Sequence, residues 1–345
     1  MKKLSVSIVC TALLITAVFV YFEALPVGAA GVKQFGDGLS TADVGTLSPV
    51  TLDREEAENT SAVEATTVSP AYEPPYGQSF VAKRWGLSAV HAPSAWAAGF
   101  AGGSAVVAVL DTGIDTEAPY LTDRVIREAN FSEGATADDT YGHGTHMAGI
   151  IIAVAPEARL LNVKVADDRG NCDPSAVAAG IRWAATNGAD VINLSLSTQK
   201  STELEEAVKL ATAKGALVVA AAGNGGSTEP SYPGYYEECL AVAALDPDRT
   251  LTILSNHGEW VDVAAPGLDI YSTLPDGRYG YKTGTSPAAA HVSGVAALAF
   301  AVAEDANDDG LLHDDVRRAL ESSCSSITLP HTDYGLVNAL EAVTP

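Results

Sequence analysis

The 345-residue sequence predicts an α/β fold class: a three-layer domain with a central, mostly parallel sheet and helices on both faces. Three observations point there. Short, unbroken apolar runs recur along the chain, the pattern of strands buried on both faces. Amphipathic stretches lie between several of them, and strands alternating with helices build a covered parallel sheet. Hydrophobic residues make up 47% and charged residues 18%, enough apolar mass for a core and too little charge for a disordered chain.

The N-terminus reads as an export leader over residues 1–30. Lys2 and Lys3 precede an apolar run from Leu4 to Phe22. Val27 with Ala29, or Gly28 with Ala30, fits the small-x-small cleavage rule. The run is also near bilayer length, so an uncleaved anchor, and with it a membrane contact, is the alternative. Residues 31–75 carry eight acidic residues against Lys33 and Arg54, end in Pro70, Pro74 and Pro75, and show no apolar period. They read as an acidic polar linker or short pro-segment.

Residues 76–345 are expected to form one domain. Strands are predicted at Ala105–Leu110, Leu160–Val165, Val191–Leu196, Ala216–Ala222 and Cys239–Leu245. Helices are predicted at Ser175–Ala185 and at Thr202–Lys214, the latter stopped by Gly215. In such sheets ligands bind beyond the carboxyl ends of the strands, which is where chemistry is to be sought.

The formal net charge is -23, which argues against a nucleic-acid partner, since phosphates call for basic patches. From residue 76 onward 34 acidic residues face 16 basic ones, so the acidity belongs to the folded part. Of the four cysteines, Cys10 lies in the leader. Cys172, Cys239 and Cys324 remain, an odd number, with a Cys239–Cys324 pair favoured in an oxidising compartment.

Four residues stand at predicted strand ends or helix starts. Asp111 follows the run Ala105–Leu110. His143 lies in Tyr141-Gly-His-Gly-Thr-His-Met-Ala-Gly149, Ser286 in Thr283-Gly-Thr-Ser-Pro-Ala-Ala-Ala-His291, and Asn224 follows Ala222-Gly223. Singly, each has an ordinary reading as a turn residue or helix cap. Together they supply a serine nucleophile, a base, a carboxylate to orient it and an oxyanion donor.

The order Asp, His, Ser, in these motifs, resembles the subtilisin-like serine peptidases, of the thermitase type. Val263-Ala-Ala-Pro-Gly267 and Tyr334-Gly-Leu-Val-Asn-Ala339 match the family as well. The resemblance covers residues 76–345. It implies that Ser286 attacks the peptide carbonyl to form an acyl-enzyme, that His143 accepts and returns the proton, and that Asp111 orients His143. Asn224 and the Ser286 N–H would hold the oxyanion. It further implies that Gly170, Asn171 and Cys172 form an edge strand that pairs with substrate. Ser195, Leu196, Ser197, Ala222 and Gly223 would line the binding pocket. The expected function is an exported, extracytoplasmic serine endopeptidase acting as a monomer on protein or peptide substrates. A subtilase-fold peptide binder that does not cut is the alternative. An α/β-hydrolase esterase is disfavoured, because Ser286 lies in Gly-Thr-Ser-Pro-Ala and not Gly-x-Ser-x-Gly.

The sequence departs from the family in several places. Pro287 follows the serine where Met is usual, and Ala290 stands where Pro is usual. Tyr120 replaces an aspartate in Ala118-Pro-Tyr-Leu121, and the stretch after His143 runs directly into Ala153-Val-Ala-Pro156, so the strong calcium site is expected to be missing. Ser197 stands where Gly is usual, which would narrow the pocket. No cofactor is required on this reading. Asp305, Asn307 and Asp309 match the first half of an EF-hand loop, where calcium is an option, but the twelfth position is Val316. His146, His291 and Met147 are expected to be core residues, and Asp115 and Asn193 to bond local backbone.

Overall fold

The computed structural model describes residues 83–327 and 334–344. The leader, residues 31–75 and their expected roles lie outside the described residues. The elements follow in chain order: α1 (Trp85–Ala89), α2 (Ala92–Ala97), β1 (Val106–Asp111), β2 (Val125–Asn130), α3 (His143–Val154), β3 (Arg159–Lys164), α4 (Pro174–Thr186) and β4 (Val191–Leu194). Then come α5 (Thr202–Ala213), β5 (Leu217–Ala221), β6 (Cys239–Leu245), β7 (Val263–Pro266), β8 (Ile270–Leu274), β9 (Arg278–Lys282), α6 (Thr285–Phe300), α7 (His313–Ser322) and α8 (Ala339–Val343).

Seven strands form one sheet in the order β2-β3-β1-β4-β5-β6-β7, and every pairing in it is parallel. The predicted sheet is thus borne out. β2 and β3 lie on one side of β1 and β4 to β7 on the other, so the chain changes side between β1 and β4. That crevice, at the carboxyl ends, is where such sheets bind ligands. β8 and β9 form a separate antiparallel hairpin that leads into α6.

The sheet divides the apolar residues into two clusters. α4 and α5 cover one face. α3 and α6 pack against each other on the opposite face. Caps fix the covering helices: Asp173 accepts from the Ser175 amide at the start of α4, and Ser201 from the Leu204 amide at the start of α5. Helices apolar all round belong in an interior, and α3 and α6 are such helices. Every residue of α3 except His143 is buried, and every residue of α6 except Ser286.

The cysteine expectation is corrected. All three described thiols are unpaired. Cys239 packs in the cluster under α4 and α5, whereas Cys324 packs against the opposite cluster and donates to the Leu320 carbonyl at 3.3 Å. The sheet stands between them. Burial pushes the Cys324 thiol up to about 12 and raises the Cys239 thiol further.

His146 and His291 are core residues as expected. His146 Nε2 lies 3.2 Å from the Gly280 carbonyl, and His291 Nδ1 lies 2.8 Å from that of Pro287. Burial pushes their pKa values down to about 3 and about 4. Both stay neutral in the folded chain while an unfolded histidine takes a proton below about 6.5. Stability is therefore undiminished above that pH and falls as pH drops from about 6.5 toward 4, at about 1.4 kcal/mol per pH unit for each histidine. Calorimetry between pH 7.5 and 5 is expected to show a falling Tm, and a flat Tm over that window would contradict it.

Candidate active site

Asp111 ends β1 at the reversal point, 3% exposed. His143 opens α3, and its Nδ1 lies 2.7 Å from Asp111 Oδ1 and 2.9 Å from Oδ2. A carboxylate only accepts, so Nδ1 carries the proton and Nε2 is left as the basic nitrogen. The Thr112 amide also donates to Asp111 Oδ1, at 2.8 Å, which fixes the carboxylate's rotation. The His143 side chain is 22% exposed.

A second buried carboxylate, Asp139, holds this pair in register. It accepts from the Thr112 hydroxyl at 2.8 Å, the Gly142 amide at 2.7 Å and the Tyr141 amide at 3.0 Å. The Thr145 amide and hydroxyl complete the set at 2.9 and 2.7 Å. The Thr112 hydroxyl in turn accepts from the Gly144 amide at 3.0 Å. One side chain thus ties the end of β1 to the first turn of α3. Beneath them the buried Lys164 donates to the Thr112 carbonyl and to Asp168 at 2.9 Å. Sequence reasoning missed both residues. The Asp six positions before Thr145, at a helix start, was the available signal for Asp139; an isolated Lys at a strand end gives none.

Ser286 is the second residue of α6. Its hydroxyl donates to the Ser195 carbonyl at 3.0 Å. The Ser195 hydroxyl returns a bond to the Ser286 carbonyl at 2.9 Å. Asn193 Nδ2 donates to the Ser195 hydroxyl at 3.0 Å, and Ser293 donates to Asn193 Oδ1 at 2.9 Å. Asn193 was expected to bond local backbone; it bonds two side chains instead, because its strand neighbour Ser195 and the facing helix both present hydroxyls. Asp115 does accept a nearby amide, that of Glu117, at 3.0 Å, and also that of Asp276 in the hairpin turn at 2.9 Å.

Asn224 lies in the loop after β5. Its Oδ1 accepts from the Thr285 amide at 2.8 Å and the Thr285 hydroxyl at 3.0 Å. That fixes the carboxamide at the start of α6 and leaves Nδ2 as a donor, on an exposed residue. Gly284 turns the chain here at φ +145°, and a methyl group on it would press to 3.0 Å from both Asn224 side-chain ends, so only glycine serves.

The expected pocket residues divide. Val191–Leu196 was predicted as strand, but pairing stops at Leu194, because Ser195 leaves the ladder to bond Ser286. Ser197 is exposed and its hydroxyl accepts from Ser231 at 3.0 Å. Ala222 and Gly223 are buried under Asn256, whose side chain donates to the Ala222 carbonyl at 3.0 Å. Gly170, Asn171 and Cys172 form no strand. Asn171 and Asp167 close a turn, with the Asn171 amide 2.8 Å from Asp167 Oδ1, and Cys172 makes a single antiparallel bridge to Ala166. An edge becomes a ladder only when a second strand pairs with it. The Cys172 thiol donates to the Ser197 carbonyl at 3.6 Å, which joins the two walls. Burial, then the Asp111 charge, raises its pKa, so thiolate is scarce at neutral pH.

In the segment 118–121, Ala118 and Leu121 are buried apolar groups and Tyr120 offers a phenol, so none of these three side chains supplies a carboxylate to a cation. In the 305–310 loop, Asp305 accepts from the Gly310 amide at 2.8 Å, and Asn307 donates to Asp309 at 3.1 Å and Asp314 at 2.9 Å. Among the described residues no group of three or more His, Cys, Asp or Glu is arranged to hold a metal ion.

A family model for the subtilase family matches residues 102–337. The chain belongs to that family. Thermitase of Thermoactinomyces vulgaris is 40% identical to this subtilase over 278 residues, 76% of the chain and 97% of thermitase. A thermophilic serine proteinase of Bacillus sp. strain AK1 is 41% identical over 252 residues, 69% of the chain and 61% of that protein. The M-protease of Shouchella clausii is 45% identical over 225 residues, 62% of the chain and 58% of that protein. The chain thus spans nearly all of thermitase but about three fifths of the other two. Family and relatives together make this subtilase a thermitase-like serine endopeptidase.

Proposed function

We propose that this subtilase cleaves proteins and peptides through an acyl-enzyme on Ser286. His143 Nε2 takes the hydroxyl proton and passes it to the leaving amine, while Asp111 stabilises the imidazolium. Asn224 Nδ2 and the Ser286 amide donate to the oxyanion. Pro287 lacks an N–H, but it follows Ser286 at the start of a helix, where proline is favoured and the Ser286 amide is untouched. The observation that carries the reading is selective exposure: in two otherwise buried helices, the accessible residues are His143 and Ser286. The Ser286 hydroxyl reaches His143 by rotating away from Ser195 when substrate enters. Export by the leader at residues 1–30, with 31–75 as a pro-segment, is part of the proposal, as is action as a monomer without a cofactor. No helix among the described residues is long and apolar enough to cross a membrane.

A sulfonyl fluoride or fluorophosphonate tests the reading directly. It is expected to stop hydrolysis of a denatured protein, with one adduct mapped by mass spectrometry to Ser286. No labelling of the folded protein would favour a peptide binder that does not cut.

A further inference from the structure

Lys282 ends β9, four residues before Ser286. Its ammonium stands 5.9 Å from the centre of the Tyr141 ring, and Tyr141 lies two residues before His143. The same ring covers Gly170: a methyl group added there would come to 3.0 Å from it. Tyr141, two residues before His143, thus reaches from the 170–172 wall to Lys282, which puts Lys282 on the rim of the cleft.

This cation is only partly exposed. Burial pushes its pKa down, and the charges of Asp111 and Asp139 push it back up. Neither of those carboxylates is available to it as a direct partner. Asp111 is taken by His143 and Thr112, and Asp139 by Thr112, Tyr141, Gly142 and Thr145. Lys282 makes no ion pair within 4.0 Å among the described residues. A partly desolvated ammonium gains most from an anionic partner, and the group that enters this space is substrate. The chain's net charge of -23 repels anions at long range, so the contact is local. The aromatic face of Tyr141 holds the ammonium in place.

We propose that Lys282 is a specificity-determining residue that binds a substrate carboxylate beside the scissile bond. The inference rests on the reading of Ser286 and His143 as nucleophile and base. The carboxylate belongs either to an Asp or Glu side chain of the substrate or to the free C-terminus of a short peptide. The leaving group and the acyl-enzyme chemistry are unchanged; what changes is which peptides are held in position.

Quenched-fluorescence peptides test it, with Glu, Gln or Lys placed in turn at each of three positions on either side of the cleaved bond, and with free or amidated C-termini. At one position the Glu peptide is expected to exceed the Gln peptide in kcat/KM by about tenfold, as for a charge-assisted hydrogen bond. The Glu-to-Gln ratio falls toward one in Lys282→Gln and inverts in Lys282→Glu, and it shrinks with added salt. A preference that vanishes on amidation assigns the carboxylate to the C-terminus. Ratios within about twofold at every position, with no effect of amidation, would overturn the proposal. So would a Lys282→Gln protein that slows all the peptides alike, since Lys282 would then act through His143. Binding of the same peptides to Ser286→Ala, with and without Lys282→Gln, needs no turnover. A carboxylate preference in affinity there would stand even if the assignment of Ser286 failed, and its absence would overturn Lys282 alone.

Discussion

Ser286→Ala is expected to lower kcat on a denatured protein by roughly 10⁶-fold, the scale known for loss of a subtilisin nucleophile. The change removes the attacking oxygen and its bond to the Ser195 carbonyl. The Ser195 hydroxyl still donates to the backbone of residue 286, so the N-terminus of α6 keeps its place and Tm is expected to stay close to that of the wild type. The residual rate comes from the oxyanion site and binding alone. Hydrolysis retained within about tenfold would mean that a different group attacks, and the whole assignment would fall.

Asp111→Asn is expected to cost roughly 10⁴-fold in kcat with little change in KM. Asparagine has nearly the same shape and its Oδ1 can still accept from Thr112. Its NH₂, however, would take the place of Oδ2, which now accepts from His143 Nδ1 at 2.9 Å. The imidazole must then carry its proton on Nε2, the nitrogen that has to receive the proton of Ser286. The fold should survive, because Asp139 and Lys164 hold the surrounding turns through other atoms. A variant that loses activity only by losing stability, or one that keeps wild-type kcat, would show that Asp111 does not set the tautomer.

Much of this was legible before any coordinates. The central strands appear as unbroken apolar runs because both faces of the sheet are covered, and they were placed within one or two residues of their bounds. The edge strand β2 escaped. It is half-exposed and carries Arg127 and Glu128, as edges do to resist further pairing, which erases the apolar signal. The β8–β9 hairpin also escaped, since its tyrosines and short length compete with turn chemistry. In the site, Asp111, His143, Ser286 and Asn224 were recognisable because glycine-rich turns surround them in a telling order. Asp139, Lys164 and Asn193 were not. Their work is done by partners up to 100 residues away, and sequence proximity carries no trace of such bonds. Residues 170–172 form a turn closed by Asp167 and a single bridge from Cys172 to Ala166, and neither leaves an apolar or alternating signal in the sequence.

The five hydrogen bonds accepted by Asp139 also bear on how this subtilase would lose function when heated. The amides of Tyr141, Gly142 and Thr145 are protected from exchange by the same carboxylate that anchors the Asp111 turn through Thr112. Opening that turn frees these protons and separates His143 from Asp111 in one event. Local fraying and loss of activity therefore share a single free energy, so the exchange rate of a few amides serves as a clock for inactivation.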